Sequence, residues 1–155
     1  MNRSTPLLPI LLPILLALVS LQLHAATPAQ EKAFIDSYRK ALEAGDSKTL
    51  AGYLLTDGAS PDAVEFFKMT QAIDPGAKIV SIELPKPDAA ETAKYSAAIK
   101  MPDGKDYKLP LKATNVLVIK IETKDANGSS ASATSKSPVG EKAGKLVVLI
   151  PVPLK

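Results

Sequence analysis

The chain contains no cysteine and no tryptophan, and its single histidine is His24. The missing cysteine excludes disulfides, thiolate metal sites, a cysteine nucleophile and the lipid anchor of a bacterial lipoprotein, so the fold depends on its core alone. Arginine is scarce too: Arg3 and Arg39 are the only two, while lysines are spread singly from Lys32 to Lys155 under a net charge of +3. Nucleic-acid binders gather Arg and Lys on one face and interleave aromatics. Here the lysines read as a solvated surface, with no nucleic-acid partner expected. Aromatic residues make up 5% of the chain. Neither a Walker loop nor Gly-x-Gly-x-x-Gly is present, so the sequence carries no motif for a nucleotide or other cofactor. Past Val19 no apolar run approaches membrane-spanning length.

The N-terminus is distinctive. Arg3 and the terminal amine give a positive start, and no acidic residue precedes Glu31. The apolar run Leu7–Val19 follows, then a polar break with small residues at Ser20, Gln22, His24, Ala25 and Ala26. This order is that of a secretory signal peptide. Its apolar part is too short to span a bilayer, and Pro9 and Pro13 interrupt it, against an uncleaved anchor. Cleavage is expected after Ala25, with Ala26 as the second choice. Residues 1–25 are then a signal peptide and 26–155 one periplasmic or secreted domain. Cleavage would also remove His24. That takes away the side chain best suited to proton transfer near neutral pH, any Ser-His-Asp triad and ordinary histidine metal sites.

The processed chain opens with a helix signal. Thr27 fits an N-cap, Pro28 the first helical position, and Gln30 completes a capping box. Phe34, Ile35, Tyr38, Ala41 and Leu42 recur at helical spacing up to Gly45. A second, shorter helix starts at Asp46 or Ser47, carries Leu50, Tyr53 and Leu54, and ends at Thr56-Asp57-Gly58. Ser60-Pro61-Asp62 starts a third, with Val64, Phe66, Phe67 and Ile73, stopping at Asp74-Pro75-Gly76.

Beyond Gly76 the period becomes 2. Val80, Ile82 and Leu84 mark one strand, ended by Pro85-Lys86-Pro87. Ala93, Tyr95, Ala97, Ile99 and Met101 mark another, joined through the Pro102-Asp103-Gly104 turn to Tyr107, Leu109 and Leu111 as a hairpin. Pro110 or the Thr114-Asn115 pair marks a bend before Val116–Ile121, an almost unbroken apolar strand expected to be central and covered on both faces. Residues 125–144 are small, polar and without period, and read as a flexible loop. Within them Asn127-Gly128-Ser129 matches a glycosylation sequon, taken as chance. Leu146–Ile150 is a last strand, and Pro151 and Pro153 put its end at an edge or off the sheet. Helices first and strands after predict an α+β domain, N-terminal helices packed on a curved antiparallel sheet of four to five strands.

Two stretches carry a family resemblance. Phe34-Ile-Asp-Ser-Tyr-Arg-Lys-Ala-Leu-Glu-Ala-Gly-Asp-Ser-Lys-Thr-Leu-Ala-Gly-Tyr-Leu54 resembles the first helix, Gly-Asp break and short second helix of the NTF2-like superfamily, which includes SnoaL-like and ketosteroid-isomerase-like proteins. Gly144-Lys145-Leu-Val-Val-Leu-Ile-Pro151 is similar to the Gly-Lys-Trp last strand of secreted members, with Leu146 in place of the aromatic. The resemblance implies a cone-shaped α+β domain. Ketosteroid-isomerase-like members use an aspartate base beside a tyrosine and a protonated acid. No spacing of Asp36, Asp57, Asp62, Glu65, Asp103, Asp106 or Asp125 reproduces that set, so no catalytic residue is assigned. Asp62 and Glu65 read as charges at a helix start, and Asp103 as a turn residue.

Tyr38, Tyr53, Phe66, Phe67 and Tyr95 are the candidate pocket lining, although aromatics at helical spacing are more often plain core. The expected role is an exported non-catalytic domain that binds a small apolar ligand or another envelope protein. The alternatives are an isomerase- or cyclase-type enzyme using Asp and Tyr, and a pure protein-interaction module working through residues 125–144 or the last strand edge.

Overall fold

A computed structural model describes residues 26–73, 76–101, 103–124 and 129–154. The signal-peptide reading, the Asp74-Pro75 stop, Pro102, Asp125 and most of the Asn127-Gly128-Ser129 sequon lie outside them. Helix α1 (Pro28–Glu43) starts on the expected capping box. Thr27 Oγ1 accepts from the Gln30 amide at 3.3 Å, and Gln30 Oε1 accepts from the Thr27 amide at 2.7 Å. Its apolar stripe, Phe34, Tyr38, Ala41 and Leu42, is buried. Asp46 caps α2 (Ser47–Ala51), whose C-cap is Gly52. Leu54 therefore lies not on that helix but in the two-residue strand β1 (Leu54–Leu55). Ser60 caps α3 (Pro61–Thr70), with Gln71 as its C-cap.

Strand β2 (Lys78–Glu83) buries Ile82, and Leu84 just beyond it, as its alternation predicts, yet Val80 is exposed. The cause is a bulge. Ile79 pairs with Ile121 and Ser81 with Lys120, so Val80 is the extra residue and its side chain falls out of phase.

The stretch read as a strand from Ala93 to Met101 is instead helix α4 (Ala89–Ser96), followed by a short strand β3 (Ile99–Lys100). Asp88 Oδ1 accepts from the Glu91 amide at 2.7 Å, and Glu91 Oε2 accepts from the Asp88 amide at 3.2 Å. This capping box outweighs an alternation built mostly of alanine, which fits a helix better than a strand. Replacing Asp88 by alanine is expected to cost about 1 kcal/mol and to speed hydrogen exchange of the α4 amides ahead of those in α1. Unchanged protection would show that the box does not hold the helix.

Strand β4 (Asp106–Lys108) pairs with β3, giving the expected hairpin in shorter form. Strand β5 (Asn115–Lys124) follows, then β6 (Ser130–Lys142), β7 (Lys145–Leu149) and β8 (Val152–Pro153). The expected loop at 125–144 is thus corrected over most of its length. β6 has few apolar side chains to show its period, but its backbone pairs with β5 in unbroken register from Val139–Asn115 to Ser130–Lys124. Main-chain bonding rather than burial makes it a strand. Its turn into β7 is the Ala143-Gly144 pair, both at positive φ (50° and 75°), which suits a tight two-residue hairpin.

The main sheet has the order β1-β7-β6-β5-β2, antiparallel except where β1 runs parallel to β7. A second sheet has the order β3-β4-β8, reached when the chain leaves β7 through Ile150 and Pro151. The fold is therefore α+β, with the N-terminal helices against one face of a mostly antiparallel five-stranded sheet. That face meets Phe34, Tyr38 and Leu42 through Ile82, Leu117, Val139 and Val148. The other face buries Leu55, Ala113 and Leu149 beneath Tyr95, Leu109 and Leu111. Double cover explains why consecutive residues Val116, Leu117 and Val118 are all buried, although β5 is next to the edge strand rather than central. Gly140 on β6 permits this layering: a Cβ there would meet Lys112 O at 3.0 Å and Leu149 Cδ2 at 3.1 Å. No helix among the described residues is long and apolar enough to cross a membrane.

Candidate functional site

The five aromatic candidates do not converge. Tyr38 and Tyr53 are neighbours, their ring centres 5.3 Å apart, and Phe34 stacks on Tyr38 at 5.6 Å and meets Tyr53 edge-on at 5.1 Å. This trio fills the core, and Tyr53 Oη shares a hydrogen bond with Ser37 Oγ. Phe66 and Phe67 form a separate edge-to-face pair on α3 with centres 5.9 Å apart. Tyr95 lies on α4, against the opposite face of the sheet.

A cavity of about 590 Å³ opens elsewhere, between the C-terminal ends of α1 and α3, α2 and the start of β2. Leu42, Leu50, Ile73 and Ile79 give it apolar walls, and none of the five aromatic candidates lines it. The exposed side chains of Glu43 and Lys68 are also part of its lining.

Gln71 is the buried polar residue among those lining this cavity. The residue is 8% exposed. Its Nε2 donates to Tyr38 Oη at 3.0 Å and to the Leu50 carbonyl at 3.2 Å. The Leu50 carbonyl can only accept, so it fixes which end of the amide faces it. Oε1 is left buried without a partner. An orphaned acceptor of this kind costs about 1–3 kcal/mol unless something else satisfies it. Burial pushes the Tyr38 phenol up to about 12, against the opposing pull of the Gln71 bond, so this hydroxyl keeps its proton at any physiological pH. Sequence reasoning missed Gln71 because its partners lie 33 and 21 residues away and its own position shows only a helix end.

Most of the carboxylates named from sequence are engaged at the surface. Asp36 pairs with Lys32, Asp57 with Lys142, Glu65 with Lys68 and Asp106 with Lys100. Asp103 differs in having a tyrosine partner. Its Oδ1 accepts from the Lys105 amide at 3.0 Å and its Oδ2 from Tyr107 Oη at 2.9 Å. The Lys105 amide, then the Tyr107 hydroxyl, hold Asp103 below its ordinary value, and the same carboxylate raises Tyr107. The pair is an ionised acceptor beside a protonated phenol. Among the described residues no group of three or more His, Cys, Asp or Glu is placed to hold a metal ion.

No family model and no curated protein matches the chain. Among solved structures it is similar to a domain from Xanthomonas campestris named for calcium/calmodulin dependent protein kinase II association. The two are 17% identical, the match covers 83% of this chain and 91% of that one, and the TM-score is 0.39.

Proposed function

We propose that this chain is an exported, NTF2-like binding domain that holds a small, mostly apolar molecule between its helices and the edge of its sheet. One observation carries the reading: Gln71, whose buried amide oxygen has no partner, is among the residues that line a cavity with apolar walls. That combination suits a ligand that is largely hydrocarbon but brings one hydroxyl or N–H donor. The signal-peptide pattern of residues 1–25 supports export, and an intact mass beginning at Ala26 or Thr27 in protein taken from its host would test that part.

The ligand is tested by native mass spectrometry of host-purified protein. A small-molecule adduct is expected on the wild type. Gln71→Met keeps the volume and removes the acceptor, and is expected to retain the ligand roughly 5- to 20-fold more weakly. An unliganded mass for wild type, or equal retention by the variant, would overturn the reading.

A second reading, a protein partner, has its own observation. β7 pairs with β6 only over Val139–Lys142, whereas β5 pairs with it down to Ser130. Among the described residues, the remaining edge of β6 carries no strand and is open to strand addition. A co-purified protein mass in the same experiment, in place of a small adduct, would favour it.

A further inference from the structure

Helix α3 buries none of its residues fully, and Phe66 and Met69 are 56% and 67% exposed. Asp62 and Phe66 are one turn apart, as are Ala63 and Phe67, so each pair stacks along the helix. Across a groove of about 280 Å³ stand Met101, Asp103 and Tyr107 of the β3–β4 hairpin, with Pro151 closing one side.

The charge of this groove is unlike that of the rest of the molecule. In a chain of net charge +3, rich in lysine, the described residues that line it include two carboxylates and no lysine or arginine. Asp103 is held in place by the Lys105 amide and Tyr107, and Asp62 bears electrostatically on the Tyr107 hydroxyl. An anion would be repelled. A bare metal ion would want more converging ligands than the two carboxylates supply. A neutral apolar molecule would desolvate the carboxylates without pairing them. A cation clothed in hydrocarbon meets both demands, its charge near the carboxylates and its apolar part against Phe66, Met101 and Tyr107.

We propose that this groove binds a small organic ammonium ion carrying an apolar substituent. Among the described residues the two sites have no lining residue in common, although helix α3 contributes to both, and this site does not rest on that cavity's function.

The probe is benzyltrimethylammonium, titrated into the ¹⁵N-labelled protein, with benzyl alcohol and benzoate as its uncharged and anionic counterparts. Saturable amide shifts are expected at Asp62, Phe66, Met101 and Tyr107 with the cation alone, weakening at high salt. Asp62→Asn is expected to weaken binding about three- to fivefold and Phe66→Leu about two- to fivefold. Both residues are exposed, so the fold should survive, and the salt dependence of wild type carries the test if a variant does not fold. Shifts that fail to saturate, equal binding of benzyl alcohol, or an unchanged Asp62→Asn would overturn the proposal. Tighter binding of acetyl-lysine amide than of benzyltrimethylammonium would also overturn it, by reassigning the groove to a protein lysine.

Discussion

Replacing Tyr38 by alanine is expected to lower the free energy of unfolding by about 4 kcal/mol. The side chain is 2% exposed and touches both other rings of the trio, so its removal leaves a void among Phe34, Tyr53 and Leu50 that rigid neighbours cannot close. It also strands Gln71, whose Nε2 would keep only the Leu50 carbonyl. Tyr38→Phe separates the two contributions. It retains the ring and loses only the hydroxyl, at a cost of about 1–2 kcal/mol for one buried N–H without its acceptor. Urea unfolding followed by circular dichroism measures both. A loss below about 1.5 kcal/mol for Tyr38→Ala would mean the trio collapses inward and is not the rigid centre of the helix–sheet interface.

Side chains that act within one turn of the chain were legible in the sequence. Thr27-Pro28-Gln30 and Ser60-Pro61 announce α1 and α3 because a cap needs only a residue and its amide three positions on. The apolar stripe of α1 and the nearly unbroken run of β5 announce one-sided and two-sided cover. Strand β6 was hidden for the opposite reason. Ser130 to Lys136 is exposed throughout, and its strand character comes from a partner supplied by β5 rather than from its own residues. Helix α4 was hidden behind alanines that fit either period, although Asp88 and Glu91 spell its capping box. Among the candidate pocket residues, Tyr38 and Tyr53 do come together, but in the core between helices and sheet and not at the cavity. The buried polar group beside the cavity is Gln71, and a lone glutamine at a helix end has no local mark.

Asn115 was named only as a bend, yet Asn115→Ala is expected to cost about 3 kcal/mol at neutral pH. The side chain is fully buried and serves three partners. Its Nδ2 donates to Glu31 Oε1 and to the Leu84 carbonyl, both at 3.0 Å, and its Oδ1 accepts from Lys86 Nζ at 3.3 Å. Lys86 Nζ also donates to the same Glu31 oxygen at 2.7 Å. One residue thus ties the first turn of α1 to the chain after β2 and to the start of β5, across 84 positions of sequence. Alanine leaves the Leu84 carbonyl without its donor inside the protein and takes one of two donors from Glu31. The network also predicts a pH dependence. The Lys86 hydrogen bond, then that of Asn115, outweigh burial and hold the Glu31 carboxyl below its ordinary value of 4.5. A carboxyl depressed by folding contributes its stability in full above its unfolded value and loses it as pH falls through the lower folded one. Wild type should therefore lose more stability than Lys86→Met on acidification from pH near 6 to pH near 3. Asp46, Glu91 and Asp103 are held low as well, so both proteins should slope the same way, and the difference between the slopes isolates Glu31. Parallel slopes in urea midpoints against pH would show that the Lys86–Glu31 pair, 59% and 24% exposed, is too well solvated to couple to folding, leaving Asn115 to act through the Leu84 carbonyl alone.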